Sequence, residues 1–370
     1  SIDRVAPIAS ASVASRADAR RAARAMPAPA PRELFALPKT LFDAKTGALT
    51  LPEFGTPEFV NAVTVLGIAV AALLVVLDLA LRATREGSAR RRAKARTAAS
   101  PKTLGTSRVA LKLARREQIS PDTARLTFAL PTPSHVLGLP VGQHVGLSYV
   151  DAKSGERHER PYTPVSTDDQ EGSVTFVIKA YKPCEKFPLG GKVSQHLDGL
   201  RVGDSCDFDG PKGMKTYEGG GVFAIRRLRS QGGGFEKRKC SRVGMIAGGS
   251  GITPMLQISR AILDNGDKVK MNLLFANQTE ADILCREEIE SDVAKYGADK
   301  FSADYTLDRP PKAGWSHFCG FITKEMIEKT MPPPGKRTQI LICGPPPMLK
   351  FAVLPALEEL GYTKDMILTW

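Results

Sequence analysis

Four short stretches of this 370-residue sequence combine residue types that hold phosphates and flat rings. Arg160-Pro161-Tyr162-Thr163-Pro164-Val165-Ser166 reads as a strand, on which alternate side chains share a face. Arg160, Tyr162, Pro164 and Ser166 then offer a cation for a pyrophosphate and a ring for a planar cofactor, although an ordinary edge strand with a surface arginine has the same look. Gly190-Gly191-Lys192-Val193-Ser194-Gln195-His196-Leu197 places flexible backbone before a short helix start, and free first-turn amides bind anions. A plain turn capped by Ser194 is the alternative. Met245-Ile246-Ala247-Gly248-Gly249-Ser250-Gly251-Ile252-Thr253-Pro254-Met255 is an apolar strand running through glycines into a helix with proline in its first turn, the form of a dinucleotide phosphate loop. Leu341-Ile342-Cys343-Gly344-Pro345-Pro346-Pro347-Met348 ends a strand in a rigid lip at the sheet edge where ligands bind.

The elements around these stretches fall into two textures. From Val109, short apolar runs broken by Gly, Pro and Asp predict an antiparallel β domain, with strands at Leu126 to Leu130, His144 to Val150, around Tyr162, Val174 to Tyr181 and Asp204 to Phe208. From Val243, strands alternate with helices, the pattern of a parallel nucleotide-binding sheet. The strands are expected at Val243 to Ala247, Lys270 to Phe275, Ser302 to Leu307 and Gln339 to Cys343. The helices are expected at Thr253 to Leu263, Ala281 to Tyr296, Thr323 to Thr330 and Met348 to Leu360.

The first hundred residues have a different physics. Residues 1–58 form an N-terminal extension whose first thirty are rich in Ala, Ser and Arg, as organellar targeting segments are. Phe59 to Leu81 is an apolar run near the roughly 20 residues that cross a bilayer, and its lack of a polar stripe favours a transmembrane helix over a core helix. Arg82, Arg85, Arg90, Arg91, Arg92, Lys94 and Arg96 follow, so the folded domains are expected on the cytosolic or matrix-like side of a mitochondrial or endoplasmic reticulum membrane. Residues 82–106 are then a basic linker. The net charge is +13, and residues 1–100 hold +7 of it, from 15 basic and 8 acidic side chains. Nothing in motif or aromatic content points to nucleic acid. Six cysteines without a C-x-x-C pair give no expected metal site.

Taken in order, the four motifs resemble the NADH-cytochrome b5 reductases, within the wider ferredoxin-NADP reductase-like flavoproteins that also supply the FAD domain of nitrate reductases. Leu137-Gly138-Leu139-Pro140-Val141-Gly142-Gln143-His144, Phe275-Ala276-Asn277-Gln278-Thr279-Glu280 and Tyr305-Thr306-Leu307-Asp308-Arg309 extend the likeness from about Arg108 to Trp370. The resemblance implies a six-stranded Greek-key FAD barrel over 107–223, an interdomain linker over 224–241 and a Rossmann-like NADH domain over 242–370. It implies that Arg160, Pro161 and the turn Gly190, Gly191, Lys192, Val193, Ser194 hold the FAD pyrophosphate, with Tyr162, Thr163, Ile178, Lys179 and Tyr181 along the ribityl chain and ring. His144, Thr163 and Ser194 are expected as a hydrogen-bonded proton path. Gly248, Gly249, Ser250, Thr253, Cys343, Gly344 and Pro345 would cradle NADH, and Asp308 would favour NADH over NADPH by accepting ribose hydroxyls and repelling a 2′-phosphate. The implied acceptor is a cytochrome b5-like haem protein, for which Lys153, Lys212, Lys215, Arg226, Arg227 and Arg229 are candidate contacts. Alternatives are a ferric chelate or quinone as acceptor, or an accessory subunit of a larger membrane complex that keeps the reductase fold. The stretch Lys182 to Phe187, Val193 and Trp370 depart from the family's usual pattern.

Overall fold

Seven residues explain how the second half of the chain folds. In Arg242–Gly248 (β10) every side chain from Val243 onward is buried, which only a central strand of a parallel sheet covered on both faces requires. The structure, a computed structural model, describes residue 64, residues 66–78 and residues 100–370 except 106 and 186. The chain divides into two units, Ser1–Glu86 and Gly87–Trp370.

The second unit holds three sheets. Val109–Ser120 (β1), Thr123–Ala129 (β2), His144–Val150 (β3), Arg157–Tyr162 (β4), Ser173–Lys179 (β5) and Ser205–Lys212 (β6) form an antiparallel barrel in the order β4-β3-β6-β1-β2-β5. After β4 the chain folds onto β5, where Val165 N donates to Thr175 O at 2.9 Å and brings the two edge strands together. Phe128, Phe176 and Phe208 meet in the interior with ring centroids 5.1 to 6.2 Å apart. They are the aromatic centre of a core that alternating strand positions supply.

Arg242–Gly248, Lys270–Asn277 (β11), Phe301–Leu307 (β12), Phe318–Cys319 (β13), Thr338–Cys343 (β14) and Ile367–Thr369 (β15) make a wholly parallel sheet in the order β13-β12-β11-β10-β14-β15. The switch in strand order beside β10 opens a crevice at the carboxyl ends of β10 and β14, both expected strands.

Residues 224–241 are not a bare linker. Lys215–Gly219 (β7), Val222–Arg226 (β8) and Phe235–Lys239 (β9) build a three-stranded antiparallel sheet between the lobes. Tyr217 N donates to Val141 O on the barrel at 2.8 Å, and Tyr217 Oη donates to Asp267 of the parallel-sheet lobe at 2.5 Å. Tyr217, Phe223 and Ala224 are buried, while glycines and the mostly charged, partly exposed Phe235–Lys239 mask the third strand in the sequence.

In the first unit, residues 66–78 form a helix (α1) whose Leu66, Ile68, Leu73 and Val76 are exposed. Among the described residues no helix is long and apolar enough to cross a membrane. The expected transmembrane helix at 59–81 is therefore not seen among the described residues, and both its ends lie outside them.

The remaining helices of six or more residues are Lys192–Asp198 (α2), Ile252–Asp264 (α3), Arg286–Tyr296 (α4), Lys324–Thr330 (α5) and Leu354–Glu359 (α6), the last preceded by helical turns over Pro346–Met348 and Leu349–Val353. The helix expected from Ala281 starts only at Arg286. Thr279 and Asp282 close a capping box around a separate short turn, and Cys285 adopts a left-handed backbone with φ 56°.

Candidate functional site

On the barrel, the turn before α2 is shaped by two glycines. Gly190 has φ +58°, and a Cβ there would lie 2.5 Å from Tyr181 O. Gly191 N donates to Tyr181 O at 2.8 Å, while Ser194 Oγ donates to Gly191 O at 2.9 Å and accepts from Tyr181 N at 3.1 Å. The first turn of α2 has no side-chain cap. Val193 and Leu197 anchor the helix in the barrel core, and Lys192 remains exposed with its Nζ 3.4 Å from His158 Nε2.

Arg160 lies on β4 facing solvent, its Nη1 donating to Glu159 O at 2.8 Å, and no carboxylate of the described residues pairs with it. The expected alternation ends at Tyr162: Thr163, Pro164 and Val165 are all buried, and Ser166 Oγ accepts from Thr175 N at 3.0 Å. Burial drives the Tyr162 hydroxyl strongly upward, with Tyr181 and Cys206 adding to the shift and Arg160 opposing it. Pro161 is exposed on β4.

Three assignments change. The Ile178 side chain is buried in the barrel core, so only its backbone can face a ligand. Lys179 Nζ is shared between Asp122 at 2.7 Å and Asp282 at 3.1 Å, an ion cluster that ties the lobes together. The proton path through His144, Thr163 and Ser194 is not formed, because the Ser194 hydroxyl is already committed to the glycine turn. His144 remains half-buried at the start of β3 with its pKa lowered, first by burial and then by Lys212.

On the other lobe, the carboxyl ends of β10 and β14 interlock. A Cβ at Gly251 would come within 2.2 Å of Cys343 O, and one at Gly248 within 2.7 Å of Met348 Sδ. One at Gly344 would press on Met348 Cε at 2.5 Å, while Gly249 has φ +52°. Thr253 Oγ1 donates to Ser250 O at 3.2 Å and braces the loop. Pro345 precedes the turn that leads into α6, and Cys343 is half-buried with its thiol pushed up to about 11 by burial. The two clusters meet directly: Tyr181 Oη lies 3.2 Å from Ser250 Oγ.

At the far end of the same edge, Asp308 N donates to Asn277 O at 3.0 Å. The Asp308 carboxyl is exposed, and desolvation raises its pKa against Arg309. Two residues were not singled out in the sequence for a ligand role. Asn277 is buried, with both side-chain atoms unpaired among the described residues. Phe321 is 77% exposed directly after Gly320, whose N–H is on Leu307 O at 2.8 Å. An orphaned amide and a bare ring at the carboxyl edge of a parallel sheet fit a nucleoside, which supplies hydrogen-bond partners and a flat face. Burial, not residue type, gives Asn277 its significance, so no sequence pattern revealed it.

Trp370 is placed by its indole, which donates to Gly142 O on the barrel at 2.8 Å. Gly142 N in turn donates to Gln257 Oε1 of α3 at 2.8 Å. Among the candidate acceptor contacts, Lys212 is held by Glu159 and Asp209, and Lys215 is half-buried against Trp370.

Residues 110–217 match the oxidoreductase FAD-binding domain family, and residues 245–353 match the oxidoreductase NAD-binding domain family. The chain is 50% identical over 259 residues to NADH-cytochrome b5 reductase 2 of Gallus gallus, covering 69% of this chain and 83% of that one. It is 48% identical over 264 residues to NADH-cytochrome b5 reductase 2 of Homo sapiens, covering 70% and 93%. The solved cytochrome b5 reductase domain of Ulva prolifera nitrate reductase superposes with a TM-score of 0.66 at 38% identity, over 73% of this chain and all of that one. With its barrel, parallel sheet and facing glycine turns in the order the relatives share, the chain belongs to the NADH-cytochrome b5 reductase family of FAD- and NAD-binding oxidoreductases.

Proposed function

We propose that the chain oxidises NADH at a bound FAD and passes the electrons one at a time to a cytochrome b5-like haem protein. The observation that supports this reading is the 3.2 Å approach of Tyr181 and Ser250, which brings a glycine turn of each lobe to one seam. Bound FAD supplies the conversion between a two-electron donor and one-electron acceptors. The protein supplies placement. Arg160, Lys192 and the turn Gly190 to Ser194 hold one pyrophosphate, while Tyr162 and Thr163 stand beside the ring and ribityl chain. Gly248 to Ser250 hold the second pyrophosphate, braced by Thr253, and Cys343, Gly344 and Pro345 wall the nicotinamide end. Asn277, Asp308 and Phe321 take the adenosine. Burial, and then Lys212, hold the His144 pKa below the ordinary imidazole range, which favours its neutral ring.

The apolar run at 59–81 anchors the chain in a mitochondrial or endoplasmic reticulum membrane, with the catalytic lobes on the side of the arginine cluster. The names of the relatives, NADH-cytochrome b5 reductases, support the haem-protein acceptor.

The test is a visible spectrum of the detergent-purified chain, followed by NADH without oxygen and then soluble cytochrome b5. A yellow chromophore that bleaches, followed by haem reduction, is expected. A colourless protein, or one that NADH does not bleach, defeats the enzyme reading and leaves an accessory subunit. Bleaching without haem reduction moves the acceptor elsewhere. Flotation with lipid vesicles by the full chain, and not by residues 100–370, checks the anchor.

A further inference from the structure

Lys215 is a cation at the seam that neither phosphate site uses. Lys215 begins β7, and its backbone approaches Gly142 so closely that a Cβ there would lie 3.0 Å from Lys215 O. Its half-buried side chain donates from Nζ to Thr369 O and lies 5.1 Å from the centroid of the Trp370 ring. No carboxylate of the described residues pairs with it. Nearby Lys212, by contrast, is matched by Glu159 and Asp209.

Burying an unpaired ammonium costs free energy, and desolvation does lower the Lys215 pKa. A neutral side chain could fill the same space, so the charge itself requires a reason. Lys215 stands between the two walls of the seam: its Nζ is bonded to Thr369 of β15, which pairs with Ile342 beside Cys343 on β14, and its backbone lies against Gly142, two residues before His144. A hydride leaving NADH carries two electrons and one proton and leaves NAD+ behind. A flavin bound at the seam would supply the hydride acceptor, and its ring would then carry one added negative charge. A cation fixed beforehand stabilises that charge without reorganisation when it appears.

We propose that Lys215 is a positioning residue for hydride transfer, a preorganised cation between His144 and Cys343 that favours negative charge on the ring system bound at the seam. The proposal rests on the flavoprotein reading and deepens it.

The test uses the full detergent-solubilised chain with FAD bound, as wild type, Lys215→Met and Lys215→Arg. Anaerobic titration gives the midpoint potential of the bound flavin. Lys215→Met is expected to disfavour reduction at least tenfold, about 30 mV for a two-electron couple, and Lys215→Arg to stay within threefold of wild type. A change below threefold in Lys215→Met overturns the proposal. So does an equal loss in Lys215→Arg, which assigns the effect to packing. If Lys215→Met does not retain FAD, the rate of Cys343 alkylation by iodoacetamide, followed on its peptide by mass between pH 7 and 10, decides. A several-fold slower rate with the profile moved to higher pH supports the cation, and an unchanged profile overturns it. A wild type that binds no flavin defeats the underlying reading instead, so the two failures are distinct.

Discussion

Asp308 and Gly251 show what a single residue contributes at the nucleotide edge. The Asp308 carboxylate stands past the end of β12 beside Asn277 and Phe321, where a 2′-phosphate would meet its charge. Asp308→Thr is expected to raise the ratio of kcat/KM for NADPH over NADH by about tenfold, equivalent to ~1.4 kcal/mol. Steady-state rates with the two nucleotides check it, and an unchanged ratio removes the specificity role. Gly251 has ordinary helical φ, so its requirement is space: a methyl group there would sit 2.2 Å from Cys343 O. Gly251→Ala is expected to cost about 2–3 kcal/mol by overpacking, read as a lower melting temperature and a higher KM for NADH. The glycine motifs were legible because close backbone approach leaves no residue but glycine. Asn277 was not, since an amide reads as an ordinary surface residue until its burial is known. Ser194 was read as part of a proton path, whereas two local backbone bonds hold its hydroxyl.

Elements meet across the seam through charge. Lys179, at the end of β5, joins Asp122 of the barrel to Asp282 in the capping box before α4. Burial pushes both carboxyls up, but Lys179 with Thr123 and Ser120 outweighs it at Asp122, and Thr279 with Lys179 outweighs it at Asp282, so both stay below their usual range. Burial pushes Lys179 down, and the two carboxylates more than offset that. Carboxylates with lowered folded pKa values stabilise above the unfolded value near 4 and lose that contribution as pH falls through the folded values. Lys179, raised in the fold, contributes up to about pH 10 and loses it above. Lys179→Met is therefore expected to cost about 1–2 kcal/mol at pH 7, with the difference from wild type vanishing below about pH 3. Melting temperatures across that range test this, and a pH-independent deficit would assign the loss to packing. Strands β10, β11 and β14 were legible because mostly apolar runs suit a doubly covered sheet, while β12, with Ser302, Asp304 and Thr306, was legible from the alternation of strands with helices. The ribbon β7-β8-β9 was not: Phe235–Lys239 alternates half-buried with exposed positions and carries mostly charge, so its strand identity comes from pairing with β8.

At the scale of the molecule, the carboxyl-terminal strand fastens one lobe to the other. Trp370 N donates to Ile342 O in the parallel sheet at 2.9 Å while its indole donates to Gly142 O in the barrel. Trp370→Ala is expected to lower stability by roughly 2 kcal/mol, from the lost bond and part of the ring's packing, and to speed amide exchange over residues 139–144. Protection there equal to wild type would show that Gln257 and Tyr217 suffice to hold the seam. Domain order followed from the sequence because each lobe announces itself locally, but the contacts between lobes join residues far apart in the chain and have no local signature.

Tyr181 belongs to both turns at once, accepting Gly191 N at its carbonyl and reaching Ser250 with its hydroxyl. Whatever orders one turn therefore also biases the other, and such coupling is reciprocal. The factor by which NAD+ tightens FAD retention should equal the factor by which FAD tightens NAD+ binding, and both should shrink together in Tyr181→Phe. The enzyme would then resist losing its flavin best while nucleotide is abundant, so that cofactor retention would itself report the size of the nucleotide pool.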